Sequence, residues 1–379
     1  MKRKIVILTV FFLLPFLLLA VLYSTKVRES SQATIQLRVM ETTDLHANML
    51  DYDYKKGKGT VKFGLARVAS LIKFSRMERA NTLLFDIGDA LEGNALGEYA
   101  LRSYKSDQMY IHPVYKVMNL LQYDVGTLGN HEFNYGLGFL RESLKGANFP
   151  YVNANIYIDD HNDCEDDDVN FLIPYTIINK ELIDTNGKKH LVRVGVIGLL
   201  TPIVAEWNKE YFHGELKVKN MQKTAEHFVP IMKEQGADII ITLAHVALEA
   251  DKGLRQKAGN SVYSLSTVPG IDAILYGHSH LQFPDKDLKS VKKGVDLDKG
   301  TINGTAGVQA GYWGNHLGII DLSLKKKNGV WVVTNKQSSL QPIYKTVNDR
   351  LIPLVPVDDT IVNLMEKVHL DTLKYLRNK

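Results

Sequence analysis

Five short apolar runs in this sequence each end on side chains that can bind a metal, and that pattern leaves the chain few folds to adopt. The run ends carry Asp44 with His46, Asp89, Asn130 with His131, His245, and His278 with His280. In a layered α/β protein the carboxyl ends of neighbouring parallel strands lie along one edge, where ligand groups collect. Residues two apart on an extended segment share a face, so Asp44 and His46 offer donors in one direction, as do His278 and His280. A Gly before Asp89 suits close approach of one carboxylate to two cations. Asn130 supplies a neutral carbonyl oxygen, while His131 can face a substrate as proton donor or charge stabiliser without being a ligand. Singly, each piece has a structural reading: a lone His closes many strands, and an Asp caps many helices. Together they give three donors for each of two cations plus one shared carboxylate. Imidazole and carboxylate without thiolate suit Mn, Zn, Fe or Co better than Ca or Mg.

The elements between these points alternate. Strand-like runs are expected at Thr34 to Glu41, Thr82 to Phe85 and Tyr123 to Gly126, with helices at Phe63 to Met77, His112 to Leu121 and from about Tyr135. Farther on, runs at Phe171 to Ile178 and Leu191 to Leu199 are joined through Asp184-Thr185-Asn186-Gly187, a hairpin turn. A helix from Asn220 to Glu234 leads into buried runs at Ala237 to His245 and Gly270 to Gly277. Strands follow at Gly307 to Ala310, Leu317 to Leu324 and Val330 to Thr334. The last element, Ile361 to Leu376, reads as an amphipathic helix with an apolar face of Ile361, Leu364, Met365, Val368 and Tyr375. This order predicts an α/β fold of two mixed sheets packed face to face with helices outside.

Composition excludes some functions. The 379 residues are 45% apolar and 23% charged, with net charge +4, of which Lys2, Arg3 and Lys4 supply most. The rest is nearly balanced and offers no basic field for a nucleic-acid polymer. A basic start, an apolar stretch from Ile5 to Tyr23 and a polar exit read as a secretory signal or a retained amino-terminal anchor, so residues 1–33 predict export to the periplasm or the outer face of the cell membrane. Cys164 is the only cysteine, which rules out an intrachain disulfide. It sits in an acidic loop, Asp159 to Asp168, that lacks the Gly and terminal Glu of a calcium-hand loop and reads as solvated surface.

The order Asp-x-His, Gly-Asp, Gly-Asn-His-Glu, His and Gly-His-x-His resembles the calcineurin-like metallophosphoesterase superfamily. Met40 to His46, His112-Pro113-Val114-Tyr115, Gly129 to Gly136 and Trp313 to Gly318 resemble, more narrowly, its bacterial 2′,3′-cyclic-nucleotide 2′-phosphodiesterase/3′-nucleotidase branch. The resemblance runs from about Ile35 to the last strand. It implies a four-layer α/β/β/α sandwich over residues 34–345. Asp44, His46 and His280 would hold one divalent metal ion, Asn130, His245 and His278 a second, with Asp89 bridging, and His131, beside Asn130, would be the catalytic histidine. The implied substrates are nucleotides: cyclic ones opened to 3′-nucleotides, and 3′-nucleotides cleaved to nucleoside and phosphate. In related 5′-nucleotidases an Asp lies three residues after that histidine; here the position is Asn134, which disfavours that alternative. Such proteins carry a second domain that clamps the base. On this reading residues 346–379 are a truncated inter-domain linker, and the missing specificity domain is either supplied by another chain or lost, leaving a metal-binding remnant with little turnover. Trp313, Tyr312 and Phe283 are candidates to line the cleft, Asn94 and Asn153 to touch phosphate, and His112 and His316 read as structural.

Overall fold

A computed structural model describes residues 33–104, 110–162, 164, 167–249, 259–288 and 292–379. The expected signal or anchor of residues 1–33 therefore lies, save for its last residue, outside the described residues. Among those residues, no helix is long and apolar enough to cross a membrane.

Two mixed sheets form the centre. The first runs, in spatial order, Val330–Pro342, His316–Lys327, Thr34–Thr42, Thr82–Asp86 and Val125–Gly126, the last three parallel. The second runs Val295–Asp296, Thr301–Ile302, Thr305–Ala310, Ala273–Tyr276, Ile239–His245, Lys189–Leu200 and Tyr175–Ile183. Its central four strands, from Thr305–Ala310 to Lys189–Leu200, are parallel. Alternation along each strand sorts its side chains between layers. Leu37, Val39, Leu83 and Phe85 face the second sheet's Val194, Ile239, Ile241 and Leu275 in one inter-sheet core. Met40 and Leu84 point the other way, into a core closed by the helices Leu65–Glu78, Pro113–Leu120 and Gly136–Leu144. Ile240 and Ala244 face the helix Met221–Glu234 on the far side. The four layers are those expected.

Several expectations needed revision. The last long strand continues from Val330 to Pro342 instead of stopping at Thr334, because its polar half pairs along His316–Lys327 at the sheet edge, where apolar periodicity is not required. The strand after Tyr123 shortens to Val125–Gly126, and the strand expected from Phe171 begins after Pro174, at Tyr175. The terminal helix spans Asp359–Arg377, capped by Asp358, whose side chain accepts from the Thr360 and Ile361 N–H groups. Ile361 and Met365 pack into the outer core of the first sheet, but Leu364 is 39% exposed, since the neighbouring helices cover a narrower stripe than the sequence offers. Phe283 is buried under the second sheet and does not line a cleft. His112 is fully buried, caps Pro113–Leu120 by accepting from Val114 N–H, and is driven down to about 3 by burial. The acidic loop is countered by Lys217, which pairs with Asp160 and Asp168, and by Lys219, which pairs with Asp168.

Candidate metal centre

The strand ends meet at one edge of the sandwich, and their loops hold each other there. Asp44 N–H donates to Gly88 O, His46 N–H to Asp89 O and Ala47 N–H to Ala90 O, at 3.0, 2.8 and 2.9 Å. Two glycines permit the contact of the next pair of loops. A Cβ on Gly88 would lie 2.2 Å from Gly129 N, and one on Gly129 would lie 2.2 Å from Asp89 Oδ1. Asp44, His46, Asp89, His278 and His280 all have positive φ, at 49°, 46°, 55°, 76° and 57°. Non-glycine residues adopt that region at a cost of about 1–3 kcal/mol each, and such strain concentrates where a site requires it.

Glu132 organises this corner, and the sequence reading assigned it no role. Its buried carboxylate accepts from Asp89 N–H and Gly129 N–H on Oε2 (2.7 and 2.6 Å) and from Ala90 N–H and Leu91 N–H on Oε1 (2.7 and 3.2 Å). Asp89 Oδ1 in turn accepts the His131 N–H at 2.7 Å. The signal that could have found Glu132 is an acid placed three residues after a glycine that must stay bare.

The side chains then converge. His46 Nε2 stands 3.2 Å from His280 Nε2, and His280 Nε2 stands 3.3 Å from Asp44 Oδ1. On the other flank His245 Nε2 is 3.1 Å from Asp89 Oδ2, and His278 Nδ1 is 2.9 Å from Asn130 Oδ1. Asp89 Oδ2 also lies 3.9 Å from His46 Nε2, between the two groups. His46 donates Nδ1–H to Glu92 O and His245 donates Nδ1–H to Ile87 O, at 2.8 and 2.7 Å, which turns each Nε2 lone pair inward. Two nitrogens about 2.0–2.1 Å from one tetrahedral cation stand about 3.4 Å apart, close to the His46–His280 spacing. His245 Nε2 is fully buried and makes no hydrogen bond of acceptable geometry. With Nδ1–H given to Ile87 O, a neutral His245 would aim its Nε2 lone pair at the Asp89 carboxylate, an arrangement that fits a cation between the two. Among the described residues, Asp44 with His46 and His280, His46 with Asp89 and His131, and Asp44 with Asp89 and His245 form groups close enough to ligate one ion.

The electrostatics agree. Burial works to raise the Asp89 carboxyl, but His245, His46 and His131 outweigh it and hold it below the usual range. Burial works to lower His245, yet Asp89 and Asp44 push it up to about 10. His131 rises to about 9, against burial, through Glu92 and Asp89. Without cations, then, the carboxylates draw positive charge onto the histidines as protons.

A cavity of about 340 Å³ opens over Asp89, Asn130, His131, His278 and His280. Trp207, on its rim, stacks on His278 with centroids 5.4 Å apart, and Tyr312 stacks on His280 at 4.9 Å. Trp313 lines a neighbouring cavity with Asn94, whose Oδ1 caps the helix Ala95–Tyr104. Asn153 is fully buried and its Oδ1 accepts from Asn155 and Ile156 N–H, so it does not reach the cleft. His316 is set beside Asn315 and Gln282, outside the ligand groups.

Comparison with known proteins gives a consistent picture. Residues 37–282 match the family model of the calcineurin-like phosphoesterases. The chain is 44% identical over 360 residues to a 2′,3′-cyclic-nucleotide 2′-phosphodiesterase/3′-nucleotidase of Salmonella typhimurium, covering 95% of this chain and 53% of that protein. A protein of the same description from Yersinia enterocolitica is 46% identical, covering 86% and 49%. The chain thus spans about half the length of these relatives. The crystal structure of the calcineurin-like phosphoesterase YfkN from Bacillus subtilis superposes with a TM-score of 0.82 at 42% identity, covering 91% of this chain and 99% of that one.

Proposed function

The chain belongs to the calcineurin-like phosphoesterase family, and from that membership we propose that it hydrolyses nucleotide phosphoesters with two divalent cations. In this reading 2′,3′-cyclic nucleotides are opened to 3′-nucleotides, and 3′-nucleotides are cleaved to nucleoside and phosphate. The observation that carries it is the convergence of inward-turned imidazoles and carboxylates beside His131, with ring nitrogens 3.2 Å apart. Asp44, His46 and His280 would hold one cation and Asn130, His245 and His278 the other, with Asp89 between them. The donor set suits Mn, Zn, Fe or Co. When bound, the two cations neutralise phosphate oxygens and acidify a water for in-line attack at phosphorus. His131 offers a ring proton to the departing ribose oxygen, and its backbone is fixed by the same Asp89 that lies between the ligand groups.

Base recognition falls, in this reading, to residues outside the matched region, in a continuation of this chain or in a second chain. The basic, apolar and polar order of residues 1–33 supports a place outside the cytoplasm, periplasmic or on the outer face of the cell membrane. The test is hydrolysis of 2′,3′-cyclic AMP, 3′-AMP and 5′-AMP by the purified protein loaded with Mn or Zn. Turnover of the first two, reduced about 10²- to 10⁴-fold in His131→Ala, is expected. No turnover with two cations bound per chain refutes the proposal, and a preference for 5′-AMP moves the protein to the 5′-nucleotidase reading.

A further inference from the structure

We propose that Glu92 is the carboxylate partner of His131, fixing which ring nitrogen holds the resident proton and aiming the other at the substrate. The role of His131 itself rests on the phosphoesterase reading above. Glu92 Oε2 stands 3.0 Å from His131 Nδ1. Its backbone is anchored from the other side, because Glu92 O accepts the Nδ1–H of His46 at 2.8 Å. The next residue keeps the loop tight: Gly93 has φ of 134°, and a Cβ there would lie 2.6 Å from His46 Cβ.

Asn134 also reaches the ring, with its amide nitrogen 2.8 Å from His131 Nδ1 and 3.3 Å from Glu92 Oε2. An amide presents a donor or an acceptor depending on its rotation, so by itself it leaves the imidazole tautomer open. An ionised carboxylate only accepts. With Glu92 accepting, Nδ1 keeps its proton, the Asn134 amide must be rotated so that its Oδ1 and not its Nδ2 faces the ring, and Nε2 is the nitrogen left for the cleft. The His131 and Glu92 side chains are 39% and 24% exposed, so the pair works through orientation more than through ion-pair strength. In the step it serves, water oxygen bonds to phosphorus and the bond from phosphorus to the ribose oxygen breaks. The ribose oxygen takes the electron pair and the His131 Nε2 proton. The proton shed by water passes to solvent, and His131 is reprotonated before the next cycle.

Glu92 is thus a positioning residue, tested with the full-length protein loaded with zinc. Glu92→Gln is expected to lower kcat for 3′-AMP about 10²-fold, the lower end of what a general acid supplies, with KM little changed. The loss should be far smaller on p-nitrophenyl phosphate, whose leaving group needs no proton. Glu92→Gln with Asn134→Asp, which moves the carboxylate to the other residue beside Nδ1, should recover 3′-AMP turnover. A second readout is independent of activity: nitrogen-15 NMR should show a hydrogen-bonded Nδ1–H on His131 in the wild type and its loss in Glu92→Gln. Equal losses on both substrates, no loss on either, or an unchanged Nδ1–H signal would overturn the proposal. An inactive wild type that shows the Nδ1–H signal would count against the nucleotide reading and leave the Glu92 pairing supported.

Discussion

Replacing Glu132 with Gln is the sharpest probe of how the candidate cation ligands are held. The side chains have nearly the same shape, so no cavity forms, and Glu132 is buried, so solvent does not fill in. In the native protein two oxygens accept four backbone N–H groups, those of Asp89, Gly129, Ala90 and Leu91. Gln keeps one oxygen and turns an amide NH₂ toward the other pair of donors. Each buried donor left without a partner costs about 1–3 kcal/mol, which gives about 2–6 kcal/mol for two. An opposing effect trims this. Burial and then the charge of Asp89 raise the Glu132 carboxyl, so removing its charge relieves some repulsion. The expected loss is therefore about 2–4 kcal/mol of unfolding free energy in chelator, measured by urea denaturation. The cation adds a second reading. If Glu132 holds Asp89 in place, the extra stability conferred by saturating zinc should shrink by about 1.4 kcal/mol for every tenfold weakening of binding. A loss below about 1 kcal/mol in chelator, together with unchanged zinc stabilisation, would refute the reasoning, since neither the donors nor Asp89 would then depend on that carboxylate.

Asp89→Asn removes the carboxylate that lies between the two candidate ligand groups, so on the proposed arrangement metal analysis of the purified variant should show loss of at least one of two bound cations; full occupancy would refute a shared role for Asp89. His245, pushed up to about 10 in the cation-free protein, holds a proton that a cation must displace. Calorimetry in two buffers at neutral pH should register proton release on zinc binding and weaker binding as pH falls, and binding without either would contradict the arrangement. Its raised folded-state value also means that in chelator this histidine stabilises the fold fully below its unfolded value of about 6.5, and the contribution fades as pH rises toward about 10. Thermal melts in chelator across that window should show the decline. On the terminal helix, Met365→Ala should cost about 2–5 kcal/mol and Leu364→Ala less than about 0.5 kcal/mol, because one is buried and the other is 39% exposed; equal effects would mean the helix face has been misplaced.

The sequence alone determined the layers and the edge at which the candidate ligands gather. A strand's two faces are written into alternate positions, as in Leu37 and Val39 against Met40, and the pattern survives any choice of neighbour. The placement of the candidate ligands was legible because a polar side chain ending an apolar run is carried to the sheet edge, and Asp44, His46, Asp89, Asn130, His245, His278 and His280 all lie there. Tertiary structure decided what each group meets. Leu364 has the spacing of a buried residue yet stays 39% exposed, and Phe283 has the look of a cleft aromatic yet lies beneath a sheet. Glu132 and Glu92 look like ordinary acids in the chain; one gathers N–H groups from a loop some forty residues away, and the other meets His131 across a similar gap. Periodicity encodes which way a side chain points. Which donor or acceptor waits there depends on how distant loops cross, and only the folded chain sets that distance.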